Sequence, residues 1–253
     1  MTPSSSPLRH ARAAGILYLV IIVCGVGGEA FVRAPLHVAG DAGQTVANLL
    51  AAELPFRLSI LADVLMALAD VGLGVLLYFL LAPVSRVLSL LAMAFRLAQA
   101  SILGLNLLNL HTAVTLAQGG ALDDGTRDAL VSSLLGAHAA GYDLGLFFFG
   151  VNCLLVGLLV FRAEYLPRTI GVMVSVAGLV YLVGSTARFV APELAALMAP
   201  AYAIPLVAEL AFCGWLIMKG PRRPEGLTTD SADARRLRVA IEPLNVVVTD
   251  VRA

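Results

Sequence analysis

Apolar residues dominate six stretches of the chain, and each stretch is close to the length of a membrane-spanning helix. About 20 consecutive apolar residues cross the hydrocarbon core of a bilayer as an α-helix. Because backbone groups must pair within the segment in hydrocarbon, these stretches are predicted to be helical. The predicted fold class is therefore all-α, a polytopic membrane bundle of about six transmembrane helices. The predicted spans are Ala13–Phe31, Phe56–Leu81, Val87–His111, Ala139–Phe161, Thr169–Phe189 and Ala201–Met218.

The segments outside the spans differ from one another in character. Asp41 is placed to cap a helix, and Val46, Leu49 and Leu50 then recur on one face. This pattern predicts a short amphipathic surface helix between the first two spans. The third and fourth spans are expected to extend past the membrane toward the acidic loop between them. After Lys219 the composition becomes polar, which is typical of disorder. The predicted organisation is a cytoplasmic N-terminal tail (1–12), a six-helix transmembrane domain (13–219) and a cytoplasmic, mostly disordered tail (220–253).

Composition supports a membrane protein. The chain has 59% hydrophobic and 13% charged residues and a mean hydropathy of +0.89, whereas an average globular domain has about 25% charged residues. The formal net charge is zero, which argues against a nucleic-acid partner. The predicted partner is the lipid bilayer. Cys24, Cys153 and Cys213 occur singly in separate apolar stretches, so they are interpreted as small buried hydrophobic residues.

Basic residues are distributed unequally between the two sets of span ends. By the positive-inside rule, the richer set faces the cytoplasm, which places both termini there, N-in and C-in. An even number of spans agrees with this topology. The first span is interpreted as a retained anchor, because five further spans follow and it lacks a clean cleavage site. The predicted cytoplasmic ends carry Arg9, Arg12, Arg86, Arg162, Arg168, Lys219, Arg222 and Arg223, and the predicted outer ends carry Arg33, Arg57, Arg127 and Arg188.

Polar residues inside the spans concentrate at mid-depth and in the predicted outer half. Asp63 and Asp70 are seven residues apart, so they share one helix face. Asp70, Arg96 and Glu209 reach mid-depth, where a charge facing lipid costs about 2.5–3.5 kcal/mol. We expect Arg96 to offset part of this cost by pairing with Asp70 or Glu209. The residues predicted to form a polar pocket are Asp63, Asp70, Arg96, Gln99, Asn106, Asn109, Tyr142, Asp143 and Glu209.

Asp63 is a candidate proton carrier, since only Arg57 or Arg188 is expected near its depth. On the fourth span, Gly141 and Gly145 form a GxxxG step that permits close helix contact.

Histidine chemistry is a less favoured interpretation. His111 and His138 lie near the outer ends of adjacent spans, where they could ligate a haem, or a metal ion together with Asp143. One histidine per helix and the lack of ligand spacing argue against such a site, so no metal or cofactor is predicted.

Three functions stay open from the residues. The first is binding or permeation of a small molecule, an ion or a proton; the second is a non-catalytic scaffold or accessory protein whose charges are structural. The third, a lipid-modifying enzyme, would need polar groups gathered at a membrane interface, whereas much of the polar chemistry here is predicted to lie deeper. The chain also contains no GxSxG, P-loop or GxGxxG motif. No catalytic residue is predicted.

Several segments resemble one known family. They are "ARAAGILYLV" in the first span, "LAPVSRVLSLLAMAFRLAQA" around the second hairpin, "FFFGVNCLLVGLLVFRAEYLPRTIGV", "GLVYLVGS" and "ELAFCGWL". Together they are similar to the bacterial membrane family known as domain of unknown function 4386, over roughly Ala11 to Gly220. The resemblance implies a multi-pass protein with six spans in the bacterial inner membrane, and it transfers no catalytic role to any residue.

Overall fold

The structure of the protein is a computed structural model that describes residues 6–191, 193 and 197–220. In this part of the chain the regular structure is helical, without a strand. We number the helices α1 (Ser6–Gly28), α2 (Ala42–Ala51), α3 (Glu53–Leu81), α4 (Arg86–Ala117), α5 (Asp124–Arg162), α6 (Arg168–Val190) and α7 (Ala203–Met218). All of these helices except α2 are long and apolar enough to cross a membrane. For α1 and α7, the span includes the short helical turns that are joined to them. The predicted all-α fold with six candidate spans is confirmed.

The first helix changes its winding near its end. A π-helical turn at Glu29–Arg33 follows α1 directly, and a short α-helical segment, Ala34–Leu36, continues from it. Single π-turns inside α-helices rotate the side chains that follow and occur often at functional sites. Here the turn contains Arg33, which is 8% exposed although it lies at the end of the span.

Two helices begin at aspartate caps. Asp41 accepts a hydrogen bond from the Gln44 N–H at 2.8 Å, as predicted. Asp123 accepts one from the Thr126 N–H at 3.0 Å at the start of α5. This backbone N–H lowers the pKa of Asp123, because it stabilises the carboxylate form. As a result, α5 begins at Asp124, well before the start of the predicted span at Ala139. This confirms that the fourth span extends toward the acidic loop.

The six long helices form a closed ring in the order of the sequence. Each one packs against the next, from α1 to α3 and onward to α7, and α7 returns to pack against α1. The amphipathic helix α2 packs mainly against α5 and α4 at one end of this ring. A ring of six helices leaves space along its axis, and side chains must either fill that space or line it.

Side chains fill one half of the ring. A large cluster of buried apolar residues joins the N-terminal half of α1 to the C-terminal halves of α3, α5 and α7, and includes Tyr18, Leu77, Val156 and Leu216. A second, smaller cluster lies at the opposite end, where Val46 and Leu49 of α2 pack against α4 and α5. Between the two clusters the axis of the ring is open.

Glycines bring α5 close to α6. A Cβ atom at Gly171 would lie 2.6 Å from the Phe161 nitrogen and 2.7 Å from the Gly157 carbonyl oxygen. One at Gly178 would lie 2.7 Å from the Gly150 carbonyl oxygen. Both helices therefore need glycine at these contacts.

The predicted GxxxG step makes a second close contact, between α5 and α4. A Cβ atom at Gly145 would lie 2.7 Å from Leu103 Cδ2, and one at Gly141 would collide with the Asn106 side chain.

The predicted tails lie largely outside the described residues. Residues 1–5 and 221–253 belong to the parts that the structure leaves undescribed. Because α1 already begins at Ser6, part of the predicted N-terminal tail (1–12) is helical.

Candidate functional site

A cavity of about 920 Å³ occupies the open half of the ring. Its lining comes from the C-terminal end of α1, α2, the N-terminal halves of α3 and α5, the middle and C-terminal half of α4, the C-terminal half of α6 and the start of α7. Glu29 lies on its edge with a side chain that is 60% exposed, so the cavity reaches the surface of the bundle. The ionisable lining residues other than tyrosine are Glu29, Arg33, His37, Asp70, His138, Asp143, Arg188 and Glu209.

Asp70 on α3 and Arg96 on α4 form the deepest ion pair. Arg96 Nη2 lies 2.6 Å from Asp70 Oδ1, and each side chain is 2% exposed. The other oxygen of Asp70 accepts a hydrogen bond from the Gln99 amide at 3.2 Å. Asp70 and Gln99 line the cavity, whereas Arg96 lies behind them. Of the two partners predicted for Arg96, Asp70 and Glu209, Asp70 is the one that forms the ion pair.

Aromatic rings and an amide hold Arg96 in place. Its guanidinium carbon lies 5.5 Å from the ring centre of Tyr18 and 5.1 Å from that of Phe149, within the range of cation–π contacts. Arg96 Nη1 donates to the Asn152 Oδ1 at 3.4 Å. These contacts supply the buried guanidinium with partners in addition to Asp70.

Asp63 pairs with Arg33, which corrects the prediction that only Arg57 or Arg188 could reach it. Arg33 Nη1 lies 2.7 Å from Asp63 Oδ2, and Arg33 Nε lies 2.9 Å from Glu29 Oε2. The π-turn accounts for the difference, because it directs a residue from the end of the first span into the ring. Arg33 lines the cavity and Asp63 lies behind it.

Two further polar contacts connect α5 to its neighbours. The Asn106 amide donates to the His138 carbonyl oxygen at 2.8 Å and lies 3.1 Å from the His138 Nδ1. Asn109 donates to Asn106 at 3.0 Å. On the other side of α5, Asp143 forms an ion pair with Arg188 of α6.

Glu209 lies beside a row of aromatic rings. The Tyr181 hydroxyl donates to Glu209 Oε1 at 2.5 Å. The ring of Tyr181 has its centre 5.2 Å from that of Phe149 and 5.9 Å from that of Tyr202. Glu209 is only 7% exposed, and all four residues line the cavity.

The predicted pocket residues fall into two layers. Five of them line the cavity, and four lie in a second layer that contacts lining residues or one another. The lining residues are Asp70, Gln99, Tyr142, Asp143 and Glu209; the second layer consists of Asp63, Arg96, Asn106 and Asn109. The structure thus brings them around one space, and their role as a binding site stays a prediction.

Sequence reasoning missed several lining residues. Arg33 is assigned by sequence only to a span end, and Glu29 is given no role, although their spacing of four residues is typical of a helical ion pair. Tyr181 and Tyr202 carry no distinguishing signal, since aromatic residues are common in apolar spans.

The three residues considered for a haem or metal site, His111, His138 and Asp143, are not grouped around one point. His138 contacts Asn106, Asp143 pairs with Arg188, and His111 is exposed. Within residues 6–191, 193 and 197–220, no three His, Cys, Asp or Glu side chains are grouped so that they could hold a metal.

The ring of spans and its half-open interior define a six-helix membrane protein with an internal cavity that is lined by both apolar and polar side chains. The chain belongs to the family described as domain of unknown function (DUF4386), whose model matches residues 13–220. It is similar to an uncharacterized protein of the archaeon Archaeoglobus fulgidus, with 29% identity over 180 residues that cover 69% of this chain and 91% of the relative. No solved structure matches the chain.

Proposed function

We propose that this is a multi-pass protein of the bacterial inner membrane that binds a small polar molecule in the cavity between its helices. The basic residues at the predicted cytoplasmic ends and the family resemblance support this location. The cavity then opens on the outer side of the membrane, because its lining comes from the opposite helix ends.

One observation carries the proposal: a cavity of about 920 Å³ inside the bundle combines an apolar wall with several charged and hydrogen-bonding side chains. Ligand sites are typically clefts of roughly 300–1,000 Å³ with an apolar wall and a few placed polar groups. Ionisable residues inside a membrane bundle are costly, so an open space beside them is a functional candidate.

Packing in the other half favours binding over free permeation. Leu77, Val156, Leu159 and Leu216 belong to the large apolar cluster there and are each less than 5% exposed. A continuous water-filled path along the ring would need these side chains to move apart. In this conformation the cavity is therefore closed at one end.

The buried ion pairs also support a second candidate, a scaffold whose charges fix the helix order. Such pairs can specify register without adding much stability. In that case the cavity would be incidental, and no small molecule would enter it.

Cysteine alkylation distinguishes the two candidates. Ser132 lines the cavity, whereas Ser89 is 1% exposed in the packed half, so Ser132→Cys and Ser89→Cys form a matched pair. Both are made in a chain whose own cysteines are replaced by alanine, reconstituted in nanodiscs and treated with neutral iodoacetamide. We expect rapid alkylation at 132 and slow alkylation at 89, with equal rates after denaturation in SDS. Equally slow reaction at both positions in the folded protein would overturn the proposed function.

A further inference from the structure

Carboxylates outnumber guanidinium groups around the cavity. The groups that set the charge of the cavity are the side chains that line it and those that form an ion pair with a lining residue. These comprise five carboxyl groups, Glu29, Asp63, Asp70, Asp143 and Glu209, and three guanidinium groups, Arg33, Arg96 and Arg188. The carboxyl groups thus outnumber the guanidinium groups by two, which favours a positively charged ligand over an anion.

The arginines are already neutralised, so they do not offer a site for an anion. Arg96 pairs with Asp70 and Arg188 with Asp143. Arg33 lies between Glu29 and Asp63 and contacts both. An anionic ligand would have to displace one of these carboxylates.

Glu209 is the carboxyl group without a cationic partner. Among the described residues, no arginine, lysine or histidine nitrogen lies within 4.0 Å of it. Its contact is the Tyr181 hydroxyl, which leaves further acceptor positions on the carboxylate free. A buried carboxylate normally pairs with a cation, and here the cavity leaves room for one.

The rings beside Glu209 suit an organic cation. Phe149, Tyr181 and Tyr202 follow one another along the wall, with centre-to-centre distances of 5.2 and 5.9 Å. Phe149 already lies against the Arg96 guanidinium, whose carbon is 5.1 Å from the ring centre, so the rings offered to a ligand are those of Tyr181 and Tyr202. Aromatic faces attract ammonium groups, most strongly at sites shielded from water. A carboxylate beside several rings is therefore a site for an ammonium group, whereas a small hydrated metal ion gains little from the rings.

A second acceptor points independently to a ligand that donates hydrogen bonds. Gln99 is 4% exposed and lines the cavity, and its Oε1 has no hydrogen-bond partner among the described residues. Buried acceptors without a partner are rare in native structures and costly. An N–H or O–H donor on the ligand would satisfy this oxygen.

We propose that the cavity binds a small organic ammonium ion, with its charge at Glu209 beside the Tyr181 and Tyr202 rings and a donor group facing Gln99. This inference rests on the proposed function and specifies its ligand class.

Three probes of similar size and different charge test it. Phenethylammonium, phenethyl alcohol and hydrocinnamate share an aromatic body and carry a positive, neutral and negative head group. Their binding to the full chain is measured by equilibrium dialysis in phosphatidylcholine nanodiscs, with empty nanodiscs as the blank. We expect the cation to bind at least about tenfold more tightly than the other two, the range of a shielded cation–aromatic contact.

Glu209→Gln keeps the shape and the Tyr181 hydrogen bond but removes the charge. We expect it to abolish most of the preference for the cation and to leave the affinity for the alcohol unchanged. Glu164→Gln is the matched control, because Glu164 is exposed in the loop between α5 and α6. It should change none of the three affinities.

Each outcome has a distinct meaning. Equal affinities, or tighter binding of hydrocinnamate, would overturn the ammonium ligand and leave the cavity as a binding site. Absence of binding by all three probes would also overturn the ammonium ligand. The proposed function would be overturned too only if Ser132→Cys also resists alkylation.

If Glu209→Gln does not fold, Ser132→Cys is treated with cationic and anionic methanethiosulfonates instead. The reaction rate of each reagent with the folded protein is divided by its rate with a denatured sample. A higher ratio for the cationic reagent supports the proposal, and equal ratios overturn it.

Discussion

Asp70 and Arg96 show how this bundle accommodates full charges at mid-depth. Each is 2% exposed, so neither has much contact with water or lipid headgroups. Asp70 keeps two partners, Arg96 and Gln99, while Arg96 adds the Tyr18 and Phe149 rings. The charges therefore depend on one another, and removal of either one leaves the other uncompensated.

Single substitutions in this pair should be more damaging than the double substitution. We expect Asp70→Asn and Arg96→Gln each to lower the free energy of unfolding by about 3–5 kcal/mol, because each leaves a buried charge without its partner. The double variant should recover part of that loss. SDS titration in mixed micelles measures all three values, and the coupling energy follows from the cycle.

The exposed pair between Glu53 and Arg57 is the control for this cycle. Both side chains are about one-third exposed and lie 2.7 Å apart. Screening by solvent limits such pairs to about 0–1 kcal/mol, so Arg57→Gln should have a small effect. Strictly additive losses at Asp70 and Arg96 would show that the pair is not coupled.

Local patterns predicted the Asp70–Arg96 pair but not the Asp63–Arg33 pair. Asp70 and Arg96 could be matched by depth alone, since both lie in the middle of regular spans. Arg33 could not, because its direction depends on the π-turn at Glu29–Arg33, and hydrophobic periodicity does not reveal where a helix changes its winding. The aromatic row at Glu209 was missed for another reason: Tyr181 of α6 and Tyr202, in the turn before α7, become neighbours only in the folded bundle.

Contacts between helices depend on glycine where backbones approach most closely. At Gly171 the atoms nearest to an added Cβ are backbone atoms of α5, which cannot rotate away. At Gly104 nothing lies within 4 Å of the added Cβ. Small residues at helix interfaces are a general means of close packing in membranes.

Gly171→Ala should therefore separate α5 from α6, whereas Gly104→Ala should not disturb α4. We expect a loss of about 1–3 kcal/mol for Gly171→Ala, as for other overpacked interiors. For Gly104→Ala we expect no loss, or a gain of up to about 1 kcal/mol, because alanine favours a helix more than glycine does. SDS titration again provides the measurement. A similar effect at both positions would contradict the close approach of the two backbones.

The start of α5 should respond to acid. Asp123 caps this helix through the Thr126 N–H, and this bond lowers the pKa of its carboxyl group. A lowered pKa means that the contribution to stability is present above the ordinary carboxyl pKa and is lost as pH falls through the lower, folded-state value. Amide hydrogen exchange at Thr126, corrected for the intrinsic rate, should therefore show declining protection in that range.

Two variants of the cap check the cause. Asp123→Ala should lower the protection of Thr126 at every pH, while Asp123→Asn should retain much of it and lose the pH dependence. Retention of the pH dependence in Asp123→Asn would assign it to another group, such as the neighbouring Asp124.

The length of α5 connects the helices to the shape of the whole molecule. Its 39 residues measure about 58 Å at ~1.5 Å per residue, whereas the hydrocarbon core is about 30 Å thick. Part of α5 must therefore extend beyond the hydrocarbon. The amphipathic pattern predicted α2. The packing of α2 against α4 and α5 depends on the extension of α5 beyond the hydrocarbon, and the apolar stretch that begins at Ala139 does not reveal this extension. Hydropathy alone thus predicted the spans but not the position of α2 beside the cavity.

The distribution of basic residues predicts the direction of the cavity across the membrane, and two loops test this prediction. The loop with Gly120 lies at the cavity end of α4 and α5, and the loop with Glu164 lies at the packed end of α5 and α6. Both residues are exposed, so Gly120→Cys and Glu164→Cys should react equally well in detergent. In intact spheroplasts, a membrane-impermeant maleimide should label Gly120→Cys, and Glu164→Cys only after lysis. The reverse pattern would place the cavity on the cytoplasmic side, where its ligand would have to come from inside the cell.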